Sequence, residues 1–84
     1  MTEVQPRLFV KSGCPWCQKA RDILNQYQVP FQEIVVSSDP EAFSEMKKLS
    51  GQSKAPTMDW SGEILADFGP EELIPFLEGK GLSA

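Results

Sequence analysis

Cys14 and Cys17 are the only cysteines in 84 residues, and the chain contains no histidine. Cys-x-x-Cys placed directly after a strand and opening a helix is the redox form of the motif. The N-terminus of a helix presents unpaired N–H groups and a partial positive charge, and both favour a thiolate. Cys17 falls one helical turn later on the same side, within reach of a mixed disulfide formed on Cys14. Cys14 is therefore expected to be the attacking thiolate and Cys17 the resolving thiol. Pro15 stiffens the turn between them, and Trp16 offers a broad apolar face beside the sulfur. A bridge between positions 14 and 17 closes almost no loop, so it would constrain the unfolded chain very little. A closed zinc site needs four ligands, and with no histidine and no second cysteine pair it would have to draw on carboxylates; no metal site is expected. An inert buried pair would not account for the strand-to-helix placement.

The elements that must hold these cysteines can be read from the pattern around them. Arg7-Leu8-Phe9-Val10-Lys11, bounded by Pro6 and by Ser12-Gly13, reads as a buried strand. The helix that follows has Pro15 in its first turn, where its missing N–H costs nothing. Its apolar stripe is Ala20, Ile23, Leu24 and Tyr27, and Val29-Pro30 should stop it. Phe31 to Val36 supplies a second strand, completing a βαβ unit with parallel strands. Ser37-Ser38-Asp39-Pro40-Glu41 starts a second helix, with Ser38 and Asp39 as equally good caps. Phe43, Met46 and Leu49 should be its buried stripe, and Gly51 its C′ residue. Thr57–Trp60 and Glu63–Ala66 flank Ser61-Gly62, a two-residue hairpin turn. Gly69-Pro70 opens a last helix with apolar Leu73, Ile74, Phe76 and Leu77, closed by Gly79 and shortened or kinked by Pro75. Lys80–Ala84 is expected to be loose. The order β-α-β-α-β-β-α implies one α/β domain over residues 1–84, a mixed four-stranded sheet with helices on both faces.

Composition limits the function classes. With 40% apolar and 24% charged residues, this is an ordinary globular composition, and no apolar run approaches the roughly 20 residues of a membrane span. A net charge of −4 argues against nucleic acid as a partner. Residues 1–30 carry +2 and residues 31–84 carry −6, so both cysteines lie in the mildly basic part. Met1-Thr2-Glu3-Val4-Gln5-Pro6 lacks the basic start and apolar stretch of a secretory signal, so the cytoplasm is the expected location, with no membrane partner and a monomeric state.

Lys11-Ser12-Gly13-Cys14-Pro15-Trp16-Cys17 resembles the Lys-x-x-Cys-Pro-Tyr-Cys of the glutaredoxin family, with Trp16 in place of tyrosine. Ala55-Pro56 resembles that family's Thr-Val-Pro, whose proline is cis and faces the cysteines. The resemblance runs from about Arg7 to Leu77. It implies a thioredoxin-like, glutaredoxin-type three-layer α/β/α fold. It also implies an enzyme that reduces protein disulfides and glutathione mixed disulfides, with no permanently bound cofactor and glutathione as reductant. By the same resemblance Lys11 pairs with the glutathione glycine carboxylate, the Ala55 backbone pairs with its cysteine, and Pro15, Trp16 and Pro56 border the sulfur. The family's Gly-Gly-x-Asp, which receives the γ-glutamyl end, falls on Phe68-Gly69-Pro70-Glu71, leaving Gly69 and Glu71 as its counterparts. Bulky Phe68 replaces the first glycine, Pro70 removes an N–H donor, and Lys54 stands where the family has threonine. This rewritten segment makes a second reductant an alternative: a glutaredoxin-like redoxin recycled by thioredoxin reductase. A reading of another class is a carrier of a [2Fe–2S] cluster held by two Cys14 thiolates and two glutathiones, which Pro15 disfavours by stiffening the turn.

Overall fold

The computed structural model describes residues 5–83. Its strands β1 (Arg7–Val10), β2 (Gln32–Val35), β3 (Thr57–Trp60) and β4 (Glu63–Ala66) form one sheet in the order β2-β1-β3-β4. β1 runs parallel to β2 and antiparallel to β3, and β3 runs antiparallel to β4. The helices are α1 (Pro15–Gln26), α2 (Pro40–Ser50) and α3 (Pro70–Gly79), with a 3₁₀ turn at Val36–Ser38. The mixed sheet and the element order are those expected from the sequence.

The period-two alternation of β1 divides the core. Leu8 and Val10 face one side and pack with Cys17, Ala20, Leu24, Met58, Leu73 and Leu77. Phe9 faces the other, where Val36, Ala42 and Met46 enclose it. α1 and α3 thus cover one face and α2 the other, and β1 is buried between them. Ser61 and Gly62 both take positive φ, 52° and 97°, the type I′ geometry that suits a two-residue hairpin.

Several local expectations shift. α1 ends at Gln26, before Val29-Pro30, because Gln28 adopts a left-handed φ of 57°. The Val29 N–H then donates back to the Leu24 carbonyl at 2.9 Å and the Gln28 N–H to the Asn25 carbonyl at 3.1 Å, a Schellman closure. In α2, Asp39 is the cap, its carboxylate accepting from Glu41 and Ala42 N–H at 3.1 and 3.2 Å. The stripe of α2 is centred on Ala42 and Met46, with Phe43 at its margin and Leu49 36% exposed. Leu49 is not buried because a three-turn helix over one small sheet face buries only its middle. Gly51 closes α2 with φ 72°.

Gly79 does not close α3. Gly81 does, with φ 84°, letting Leu82 N–H reach the Leu77 carbonyl at 3.2 Å and Gly81 N–H the Glu78 carbonyl at 3.0 Å. Leu82 packs against the core, so the segment after α3 is tied down through Leu82 and not loose. Lys80 reinforces it, forming an ion pair with Glu63 and lying over the Trp60 and Phe76 rings. Of the described residues, no helix is long and apolar enough to cross a membrane.

Candidate redox site

Cys14 is the N-cap of α1, in extended backbone at φ −96°, ψ 111°. Gly13, with φ 70°, turns the chain out of β1 so that the helix can start there. The Cys14 sulfur accepts the Cys17 N–H at 3.2 Å, one of the donors that a helix start leaves without an intrahelical partner. Cys14 is half-buried, whereas Cys17 has no exposed surface; both are free thiols. Burial pushes the Cys17 thiol up to about 11, and the neighbouring Cys14 sulfur adds to the rise. One sulfur is thus accessible and capped by a backbone donor, and the other is kept inside as a protonated thiol.

The Ala55-Pro56 peptide is cis, and the Ala55 carbonyl oxygen lies 4.0 Å from the Cys14 sulfur. Pro56 is buried and Ala55 half-buried. The loop holding them is organised by Gln52, which sequence reasoning passed over. Its amide nitrogen donates towards Ser50 Oγ at 2.9 Å, and Lys54 O and Thr57 Oγ1 at 3.1 Å. Its amide oxygen accepts the Lys54 N–H at 2.6 Å. Thr57, fully buried, closes the ring by donating to Lys54 O at 2.8 Å. No periodicity or spacing marks a loop glutamine for this work; only the polar partners folded around it do.

Lys11 lies on the same rim. Its ammonium donates to the Ser53 carbonyl at 3.0 Å and sits 5.6 Å from the Phe43 ring centre. Ser12 beside it is tied to Ser37, its N–H donating to Ser37 Oγ at 3.2 Å and the two hydroxyls 3.0 Å apart. Lys11 is thus tied to Ser53, two residues before Ala55, whose carbonyl lies beside the Cys14 sulfur.

On the far side of Trp16 a groove of about 210 Å³ is lined by Trp16, Asp67, Phe68, Gly69, Glu71 and Glu72. The structure brings Trp16, Gly69 and Glu71 together here. Phe68 is 3% exposed and belongs to the core, so it does not fill the groove as its bulk suggested. The start of α3 has little left to donate: Pro70 has no N–H, and the Gly69 N–H is taken by the Glu72 carboxylate at 2.7 Å. The N–H groups of Glu72 and Leu73 both bond to the Gly69 carbonyl. Among the described residues no group of three or more His, Cys, Asp or Glu is placed to hold a metal ion.

The glutaredoxin family model matches residues 7–64. An uncharacterized glutaredoxin-like 8.6 kDa protein in the rubredoxin operon of Clostridium pasteurianum is 29% identical over 72 residues, covering 86% of this chain and 96% of that protein. The glutaredoxin of Neisseria meningitidis serogroup B is 46% identical over 50 residues, 58% of this chain and 59% of its own length. Among solved structures, a thioredoxin-like protein superposes with a TM-score of 0.79 at 25% identity, covering 87% of this chain and all of that one. A cysteine pair opening α1 beside a cis-proline loop, on a sheet of thioredoxin-like topology and under a family match over most of its length, places the chain in the glutaredoxin family.

Proposed function

We propose that this protein is a thiol–disulfide oxidoreductase that reduces protein disulfides and glutathione mixed disulfides through Cys14 and Cys17, as a single cytoplasmic domain. The observation that carries the reading is the contrast between the two sulfurs: Cys14 accessible and capped at 3.2 Å, Cys17 enclosed and protonated. The Cys14 thiolate attacks one sulfur of the target disulfide, and the other leaves as a thiolate that takes a proton from solvent. Cys17 then loses its proton and attacks the Cys14 sulfur, releasing the second target thiol. The protein is left with a Cys14–Cys17 disulfide, and two electrons have passed to the target. Two glutathione thiols restore the dithiol and leave as glutathione disulfide.

Glutathione as reductant is supported by Lys11 and the Ala55 backbone beside Cys14. A second reading, recycling by thioredoxin reductase, is favoured by the opposite rim. There the carboxylates of Asp67, Glu71 and Glu72, and an α3 start whose Gly69, Glu72 and Leu73 N–H groups are already bonded, suit the γ-glutamyl carboxylate poorly. Coupled turnover of a protein disulfide, with glutathione plus glutathione reductase or with thioredoxin reductase supplied in turn, separates the two. Cys14→Ser should abolish both activities. If glutathione is the reductant, Lys11→Ala raises its apparent KM roughly ten-fold, since a charge-assisted hydrogen bond contributes about 1.5–3 kcal/mol. Unchanged glutathione kinetics in Lys11→Ala, with efficient reduction by thioredoxin reductase, would replace the first reading by the second.

A further inference from the structure

Gly13, Gly51, Gly62 and Gly81 all have positive φ, a conformation that explains each of them. Gly69 does not: at φ −120°, ψ −172° its backbone is extended and open to any residue. An added Cβ would crowd Trp16, whose Cζ3 and Cε3 atoms would lie 3.3 and 3.4 Å away, so the ring would have to give by a few tenths of an ångström. The missing side chain makes a seat for the indole. Trp16 is 54% exposed two residues after Cys14, and Lys19 Nζ rests 5.3 Å from its ring centre. The seated ring becomes one wall of the groove whose charged groups are Asp67, Glu71 and Glu72. Glu72 is committed to the Gly69 N–H, and Asp67 has a loose, exposed pair with Lys54 at 4.0 Å. Glu71 forms no ion pair among the described residues.

We propose that this groove receives a basic side chain next to the reactive cysteine of the target protein, and that Gly69 sets this preference by seating Trp16. An arginine or lysine fits both parts of the groove. Its apolar stem lies on the indole, where a cation is also favourable, and its charge reaches Glu71 and Asp67. An acidic neighbour would face Glu71, Glu72 and Asp67, with Lys19 over the indole and Lys54 beside Asp67 as the nearby cations. The inference rests on the oxidoreductase reading and narrows its substrate class to disulfides in basic surroundings.

The test uses three disulfide-bonded peptides identical except that both neighbours of the reactive cysteine are Arg, Ala or Glu. Pre-reduced protein is mixed with each, and the single-turnover rate gives the apparent second-order constant. The wild type should favour the Arg over the Glu peptide by about ten-fold at low salt, with the ratio falling at high salt as screening dictates. Asp67→Asn with Glu71→Gln should bring the ratio close to one. Gly69→Ala, which displaces the indole, should lower the Arg-to-Ala ratio at least three-fold while thermal melting confirms the fold. Equal rates for the Arg and Glu peptides in the wild type, or a ratio that survives the double substitution, overturns the proposal. If the wild type, with both thiols titratable, reduces none of the three peptides, the oxidoreductase reading itself fails.

Discussion

Raising the pH from 8 to 10 should expose Cys17 chemically without unfolding the protein. Its thiol is held near 11 by burial first and by the Cys14 sulfur second, whereas a free cysteine sits near about 8.5. At pH 8 roughly one Cys17 in a thousand is then ionised, against about one in four for the unfolded chain, a protection of about two hundred-fold. Two pH units higher the ionised fraction rises about a hundred-fold. The assay is a pulse of iodoacetamide on fully reduced protein, followed by digestion and mass spectrometry of the two alkylated positions. Cys14 should be modified at pH 8 while Cys17 is spared, and Cys17 labelling should climb steeply towards pH 10. In Cys14→Ser the burial remains and the neighbouring sulfur does not, so Cys17 should still be protected, though less. The same shift carries a stability consequence: a group raised in the folded state contributes fully below the unfolded value and loses its contribution as pH rises towards 11. Reduced wild type should therefore weaken between about pH 9 and 11 relative to Cys17→Ala in urea denaturation. Equal labelling of both cysteines in native protein at pH 8, or a Cys17 rate flat from pH 7 to 10, would refute the reasoning.

Three further variants have expected outcomes. Gln52→Ala should cost about 1–3 kcal/mol in urea denaturation, since several hydrogen bonds of the loop are lost. The same variant should slow disulfide reduction roughly ten-fold or more by loosening the wall opposite Cys14. Gln28→Gly should stabilise the protein by about 0.5–1 kcal/mol, because glycine relieves the left-handed backbone that closes α1; a rise of a few degrees in Tm would be its signature. Asp59 would be raised by burial, but hydrogen bonds from Arg7 at 2.6 Å and from the Gly62 N–H hold it below the usual carboxylate range. Asp59→Asn should therefore destabilise at neutral pH, and the difference from wild type should shrink as pH falls below about 4.

The frame of the fold was legible because its signals are local and periodic. The short apolar run Leu8-Phe9-Val10 bounded by Pro6 and Ser12-Gly13, Pro15 at the first turn of α1, and Ser61-Gly62 between two short strands each mark an element locally. The placement of Cys14 and Cys17 at the start of a helix after a strand was equally legible, and the structure has them there. What the sequence hid were decisions made by neighbours distant along the chain. Gln28 takes a left-handed turn that no proline or glycine announces. Leu49 matches the helical period yet lies beyond the sheet it would need to cover. Gln52 organises the cis-proline loop through partners visible only once the loop is closed. Gly69 reads as a helix-start residue until Trp16 arrives from α1 to occupy the space above it.

Capping by a sulfur links the redox couple to helix energetics. When Cys14 is reduced, its sulfur is the acceptor that satisfies the start of α1. In the oxidised protein that atom is shared with Cys17 and is a weaker acceptor. An N-cap contributes about 0.5–2 kcal/mol, which as a preference for the reduced form is roughly 10–40 mV in a two-electron couple. The shift is upward, making the disulfide a better oxidant than an uncapped pair would be. The difference in unfolding free energy between the two covalent states then equals the potential of the folded couple measured against that of the unfolded chain. In the proposed couple, the first turn of a twelve-residue helix sets part of the potential.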